Sequence, residues 1–463
     1  MSKLIDLTNN IRLLEFEPPH FASEKYLEAF KTIDLGELHA SIPWTALVRD
    51  VGRRLGTKSK GPKPYFDLRA KLALMILKPY FSCSDHQLME RLRTDWSVQF
   101  FCNVYIRIED ELPNYKVISK IRCELSQVLD LQALQKEFAT SWSDDMQEKH
   151  VSLSDATCYE TSMRYPTDEK LLWEGCEWIY KELILLCKEL GIRRPRSKYK
   201  EQKQKQLAFQ KSRRKTYKMK RGRQRSLIYL LDKLINQYLT IESGYEHEFL
   251  VLPSMQRRFQ TTIKMLAQQR TMFETGEDKV PNRIVSLDKD YIRPIIRGKE
   301  TKRVEFGAKV NMIQVDGLNF IEHLNFEAFH EGNRLKSGIH LHQKLFGKCT
   351  HIAADSIYGT NENRKYCKRN TIQTSFVRKG RAGENETQRS QMQSILSKQR
   401  ATRMEGSFGT EKNHYGLNRV KARTEKTEIL WIFFGVMTSN AVKIAKRRKK
   451  KRAEELKAQK QVA

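Results

Sequence analysis

Asp155 and Asp355 are the residues whose types and settings suit chemistry on a phosphodiester, and Glu405 is a less obvious third acid. Asp155 lies in VSLSDATCYETSM, which alternates as a strand does. Val151, Leu153 and Asp155 share one face, and Ser152, Ser154 and Ala156 the other. Asp355 follows Ile352-Ala353-Ala354 at the end of a second strand-like stretch, THIAADSIYG. A carboxylate in a buried strand is costly unless it is paired or metal-bound. One such residue reads as a loop cap, whereas two in one domain point to a common partner. Two-metal cleavage needs converging carboxylates, because the ions sit about 3.5–4 Å apart and clamp the attacking and leaving oxygens. Hard divalent ions take oxygen ligands and keep several waters, so the protein ligands are expected to be few, and all Asp or Glu. Glu405 lies in KQRATRMEGSFGTEKNHYGLNR, seven residues before Lys412 and on the same helix face. By spacing alone it reads equally as a solvated helix charge. Gly406 and Gly409 each cost a helix roughly 1 kcal/mol against Ala, and suit the close approach of another backbone or of DNA.

The elements that must position these acids follow from the apolar patterning. FDLRAKLALMILKPY reads as a helix from Phe66 to Tyr80 that Pro79 should end. SCSDHQLMERLRTD follows with Ser84 as N-cap, and KVISKIRCELSQVLDLQALQKEF reads as a third helix. Residues 61–147 are therefore expected to form a helical domain, either a DNA-binding one of helix-turn-helix type or a plain packing module. Residues 1–60 give no assignable pattern. After the Asp155 strand comes a turn at Tyr165-Pro166-Thr167-Asp168, and residues 169–275 read as a long helical excursion. Within it, residues 193–225 hold sixteen Lys or Arg and one acid, Glu201. RIVSLD is expected to be a short strand. VEFGAKVNMIQV and NFIEHLNFE flank Asp316-Gly317, a hairpin signal. GNRLKSGIHLHQKLFG and NENRKYCKRN read as helices, and TSFVRK as a strand. Arg389–Leu417 and Ile429–Lys451 read as long helices, and residues 446–463 as a basic tail. Strands and helices mixed in this order indicate a three-layer α/β domain over residues 148–168 and 276–445.

The net charge of +30 requires a polyanion. Nucleic acid is preferred to an anionic membrane, because the basic runs lack an apolar companion face. Arg213, Arg214, Lys215, Lys218 and Arg221, in the basic stretch, are expected to supply phosphate affinity that falls steeply with salt. Tyr199 and Phe209 are expected to anchor helices to each other. The run Lys446–Arg452 reads as a DNA-backbone contact or a solubilising tail. The eight cysteines include no C-x-x-C pair and no accompanying His cluster, so buried thiols in a reducing cytoplasm are expected rather than structural zinc. The first residues show no apolar leader core. Ile429–Val442 is too short and too polar to span a bilayer, and reads as a buried helix.

These segments resemble the DDE-type transposases of bacterial insertion sequences. SDATCYETSMRYPTD is similar to the segment carrying that family's first Asp, and AADSIYGTNENR to its second Asp strand. RMEGSFGTEKNHYGLNR is similar to the helix carrying the final Glu, and IRPIIRGKETKRVEFGAKV to the approach to the second and third strands. FDLRAKLALMILKPYFSCSDHQLMERL resembles the helical domain that precedes the catalytic core. The resemblance runs over much of residues 60–440. It implies an RNase H-like domain, interrupted between its first and second strands by the 169–275 insertion and preceded by an all-α domain. Asp155, Asp355 and Glu405 would then hold two Mg2+ or Mn2+ ions. Double-stranded DNA, as element ends and as target, is the implied partner, acted on by a homodimer. Lys412 fits the spacing of a Tyr-Arg-Glu-Lys signature, but Ala401 stands where its Arg is expected and Lys398 where its Tyr is. Arg400 and Arg403 flank that position, and Arg403 and Lys412 are expected DNA contacts. The implied reaction is cleavage at element ends with strand transfer. The alternatives are a nuclease with the same metal site and a DNA-binding regulator or inactive copy.

Overall fold

Local sequence dictates many of the element boundaries. The computed structural model describes residues 24–55, 64–107, 110–244, 252–277, 279–296 and 304–462. The leader expectation, and part of the IRPIIRGKETKRVEFGAKV segment, lie outside them. The chain forms two compact units. The first comprises Met1–Thr161, Ala308–Asn325 and Phe329–Ala463, and the second Ser162–Gly307 with Phe326–Ala328.

The first unit begins with helices α1 (Glu24–Thr32), α2 (Asp34–Ala40) and α3 (Trp44–Leu55), in a region that gave no pattern by sequence. Next come α4 (Leu68–Phe81), α5 (Asp85–Thr94), α6 (Trp96–Cys102), α7 (Lys116–Val128) and α8 (Leu131–Trp142). Pro79 does not end α4. It falls in the last turn, and the helix closes instead at Ser82, which adopts a left-handed φ of 47°. Ser84 does cap α5, in a reciprocal capping box with Gln87. The single helix expected over KVISKIRCELSQVLDLQALQKEF is two. Asp130 leaves helical geometry and its carboxylate accepts from the Gln132 and Ala133 amides, which starts α8 afresh.

Strand β1 (Val151–Glu160) follows and leads out of the first unit. The second unit contains α9 (Asp168–Glu189), α10 (Tyr199–Lys211), α11 (Tyr217–Gly244), α12 (Pro253–Thr275) and the short β2 (Pro294–Ile296). Gly175 on α9 allows its neighbours to close in, since a Cβ there would meet Leu231, Met265 and Thr262 at 3.1–3.3 Å. RIVSLD is not a strand. Ile284 and Leu287 are buried in the core of the helical unit, so its apolar residues are used on helices instead of a sheet. Tyr199 is a helix anchor, stacked between Tyr180 and Trp173.

Strand β3 (Val304–Val315) begins in the second unit, where β2 pairs with it, and continues into the first. It turns through Asp316 and Gly317, both at positive φ (47° and 78°), into the antiparallel β4 (Leu318–Asn325). That is the two-residue hairpin expected from Asp-Gly. Then come α13 (Leu335–Phe346), β5 (His351–Ala354), α14 (Asn361–Arg369), β6 (Gln373–Thr374), α15 (Glu386–His414) and α16 (Glu425–Val462). Of the expected TSFVRK strand only Thr374 is in a strand, as the second residue of the two-residue β6. In the sheet, β1 lies between β3 and β5, β6 lies beyond β5, and β4 pairs with β3. β1 is parallel to β5, and β5 to β6. α13, α15 and α16 pack on strands of this sheet.

α16 is the one helix among the described residues long and apolar enough to cross a membrane, and 78% of that apolar window is buried within the fold. It is a core helix, as expected. The expected basic tail is corrected: residues 446–462 continue α16. Arg447 pairs with Asp316 at 2.9 Å, Arg448 with Asp145 at 2.7 Å, and Arg452 with Glu37. Much of the Lys446–Arg452 charge therefore holds the helix to its own unit.

Candidate active site

Parallel pairing brings the two aspartates together. β1 and β5 are in register through Ser154–Ala354; Asp155 is the next residue on β1, and Asp355 is the first residue past the end of β5. Asp155 is largely buried on the face of β1 that also carries Tyr159. Its Oδ1 accepts from the Ala156 amide at 2.8 Å, and its Oδ2 is bridged by Arg400 Nη1 at 2.7 Å. Burial raises the Asp155 pKa above the ordinary aspartate range. Arg400 and the Ala156 amide oppose that rise, while Glu331 and Asp355 add to it. Asp355 is exposed and caps the turn that follows β5, with its Oδ1 accepting from the Ser356 amide at 2.6 Å. Two residues beyond Ser356, Tyr358 is fully buried and its hydroxyl donates to Asn311 Oδ1 at 2.5 Å. The Asp-x-x-Tyr-Gly turn is thereby pinned to β3.

α15 runs along β1 in the same sense, since Arg400 meets Asp155 and Glu411 meets Tyr159. Its inward face is Leu396, Arg400, Met404, Ser407, Phe408 and Glu411. Glu405 lies about 140° round the helix from Arg400 and is exposed. Lys412 occupies the same flank, seven residues on, and its ammonium sits 5.9 Å from the centre of the Tyr159 ring. That flank therefore borders β1, but Glu405 does not meet the aspartates. Among the described residues, no three His, Cys, Asp or Glu side chains come close enough to hold an ion. The structure thus brings Asp155 and Asp355 together and leaves Glu405 apart.

Sequence reasoning missed two neighbours, Glu331 and Glu411, and the pairing of a third, Arg400. Arg400 is the ion-pair partner of Asp155, a contact spanning 245 residues that no local pattern signals. Glu331, in the 3-10 turn before α13, acts electrostatically on Asp155 and pairs with Lys309 at 2.8 Å. Glu411 is wholly buried and accepts from the Tyr159 hydroxyl and from Asn319 Nδ2 (2.6 Å). The only local hint of Glu411 was its place in the apolar face of α15.

The expected DNA contacts fare differently. Arg403 is exposed and bridges Glu148 at 3.2 Å. In the second unit, Arg213, Arg214, Lys215 and Lys218 are exposed. Arg221 is half-buried, donates to the Phe273 carbonyl at 2.9 Å and lies over the Phe273 ring. It is held by its own fold. Arg223, from the same basic stretch, is buried against Gln202 and Gln206.

A Cβ at Gly406 or Gly409 would meet nothing within 4 Å, so no backbone of this chain explains either glycine. The space beside both is open, which is what an approaching DNA backbone would need. Gly406→Ala and Gly409→Ala should each stabilise the fold by up to about 1 kcal/mol in thermal melts and weaken DNA binding. Raised stability with unchanged DNA affinity would show that this flank does not face DNA.

Two family models match the chain. One, described as a transposase domain (DUF772), matches residues 25–124, and one described as a transposase DDE domain matches residues 352–438. The second match contains Asp355, Glu405 and Lys412, and Asp155 lies outside both. No curated protein and no solved structure matches the chain significantly.

Proposed function

We propose that the chain is a DNA transposase of the DDE type that insertion sequences carry, as its two transposase-domain matches support, and that Asp155, Asp355 and Glu405 together direct metal-dependent cleavage at element ends and strand transfer into target DNA. One observation carries this reading. Two aspartates 200 residues apart in sequence follow the last paired residues, Ser154 and Ala354, of two adjacent parallel strands. The strand arrangement supports an RNase H-like catalytic domain: a β3–β4 hairpin beside β1, then β5 and β6 parallel to it. In chain order, the second unit then falls between the first and second strands of that domain as an insertion.

The donor set suits Mg2+ or Mn2+, since every candidate ligand is a hard carboxylate oxygen. Asp155 is a desolvated carboxylate that already holds a cation, the Arg400 guanidinium. Asp155, Asp355 and Glu405 would hold two divalent ions, which would supply Lewis acidity at the phosphate and at the attacking water or 3′-hydroxyl. The protein's own part is positional. Asp155 is fixed by its strand, and the Asp355 carboxylate by the Ser356 amide. Glu405 must approach by a movement of α15 or of its side chain. Arg400 must leave Asp155, which frees it for a DNA phosphate. Two element ends require two copies of the chain, so the working form is a homodimer on DNA.

Arg400→Ala should therefore tighten Mn2+ binding by about ten- to a hundredfold, the worth of one charge-assisted contact. Titration calorimetry reads this directly, with Asp155→Asn as the variant that should not bind. Unchanged or weakened Mn2+ binding in Arg400→Ala would show that Arg400 does not compete for the site. The reaction itself is tested with the DNA flanking the gene. A labelled 3′-hydroxyl end should be joined to a target plasmid, whereas cutting without joining would mark a nuclease.

A further inference from the structure

A strongly cationic hollow of the first unit lies away from the acids. It is a half-open cleft of about 1370 Å3 between the start of α5, helix α7 and the segment that joins α15 to α16. Eight Lys or Arg side chains line it, against one acid, Asp85. Asp85 is already committed. It pairs with Lys78 at 2.6 Å and with Arg122 at 3.1 Å, leaving the floor with one net positive charge. Both of those cations also lie over the Trp431 ring, at 5.3 and 4.7 Å. Lys116 and Lys120 on one wall, and Arg419, Lys421 and Arg423 on the other, are exposed. No ion pair holds any of these five among the described residues.

Their charges would repel each other across an empty cleft, so the cleft is built for a polyanion. Its volume exceeds the 300–1,000 Å3 or so typical of small-molecule pockets, which favours a segment of polymer. The cleft also leads to the acids. Lys412 lines it and lies over the Tyr159 ring of β1. The Val420 amide donates to the Glu160 carbonyl at 2.8 Å, which pins the 415–424 wall to the end of the same strand. Tyr159 is four residues from Asp155, about 13 Å along a strand.

We propose that this cleft holds the phosphate backbone of the DNA strand that runs to Asp155. The assignment of a cutting site at Asp155 underlies this proposal, but the binding test does not depend on it. In the full chain, the triple variant Lys120→Ala, Arg419→Ala, Arg423→Ala removes three exposed cations. Its affinity for a short mixed-sequence duplex should be measured over a salt series. The slope of log affinity against log salt should become shallower by about 2.7, at roughly 0.9 for each phosphate that is no longer neutralised, while the thermal melt stays unchanged. A control variant, Lys451→Ala, Lys457→Ala, Lys460→Ala, removes three exposed lysines from the end of α16. It should leave the slope nearly as it was. An unchanged slope in the folded cleft variant, or an equal change in the control, would overturn the proposal. Cleavage that survives Asp155→Asn would instead overturn the cutting-site assignment, whatever the slope.

Discussion

Asp155→Asn is expected to lower DNA cleavage by at least about a thousandfold while DNA affinity stays close to that of the parent chain. Divalent ions contribute several kcal/mol to phosphodiester cleavage, and each 1.36 kcal/mol is a factor of ten in rate. Asn keeps the shape of Asp155 but removes the charge that a divalent ion or Arg400 needs. DNA affinity is expected to survive because the cations lie elsewhere: around the cleft, on the flank of α15, and on the exposed part of α10–α11. Arg400 is partly exposed and can turn to solvent once its partner is neutral, so the fold should tolerate the change. Gel assays of cleavage and binding on one preparation, with a thermal melt, separate these effects. Loss of binding in parallel with cleavage would make Asp155 a structural residue and not a catalytic one.

Glu411→Ala is expected to have the largest effect on stability. Glu411 joins three elements beneath the site: its carboxylate accepts from Tyr159 of β1 and Asn319 of β4, and Lys443 of α16 lies near enough to act on its charge. Lys443 donates to the Gly317 carbonyl and to Ser407 Oγ, and Asn440 bonds to Asn319. Removing the carboxylate orphans two buried donors at about 1–3 kcal/mol each, a loss of about 2–6 kcal/mol. That is a large share of the roughly 5–15 kcal/mol typical of folded domains. Glu411→Gln keeps one acceptor and should lose less. Burial raises the Glu411 pKa, so the folded chain binds this proton more tightly than the unfolded chain does. Its contribution to stability is therefore full below the ordinary glutamate pKa and is lost as pH rises through the raised value. Denaturant melts across that window should show the decline in the parent chain and a flatter profile in Glu411→Gln. Equal stability of Glu411→Ala and the parent would contradict the role of this network.

The parts of this structure legible in sequence are those written in local periodicity or turn chemistry. The β1 strand, the Asp316-Gly317 hairpin, the Ser84 cap and the buried α16 helix each have a signal within a dozen or so residues. The Asp155–Asp355 pair was legible because a carboxylate at a small or apolar strand position is conspicuous twice. What stayed hidden depends on contacts between distant segments. The apolar run through 116–138 conceals the break at Asp130, because both helices share one spacing of leucines. RIVSLD has the composition of a strand, but its apolar residues belong to a helical core. Lys446–Arg452 looks like a free basic run, yet Asp145, Asp316 and Glu37 claim much of it. Arg400, Glu331 and Glu411 join the site only through tertiary packing. Lys116, Lys120, Arg419, Lys421 and Arg423 form no run in the sequence, so the cleft is visible only in the fold.

A metal site that Glu405 shares with Asp155 and Asp355 is tested by the Glu405→Cys variant. Mg2+ strongly prefers oxygen, while softer ions tolerate a thiolate. With such a site, Glu405→Cys should cleave element-end DNA poorly with Mg2+ and regain activity with Mn2+. Parent-like cleavage with Mg2+, or equal inactivity with both ions in a folded and DNA-binding variant, would contradict it.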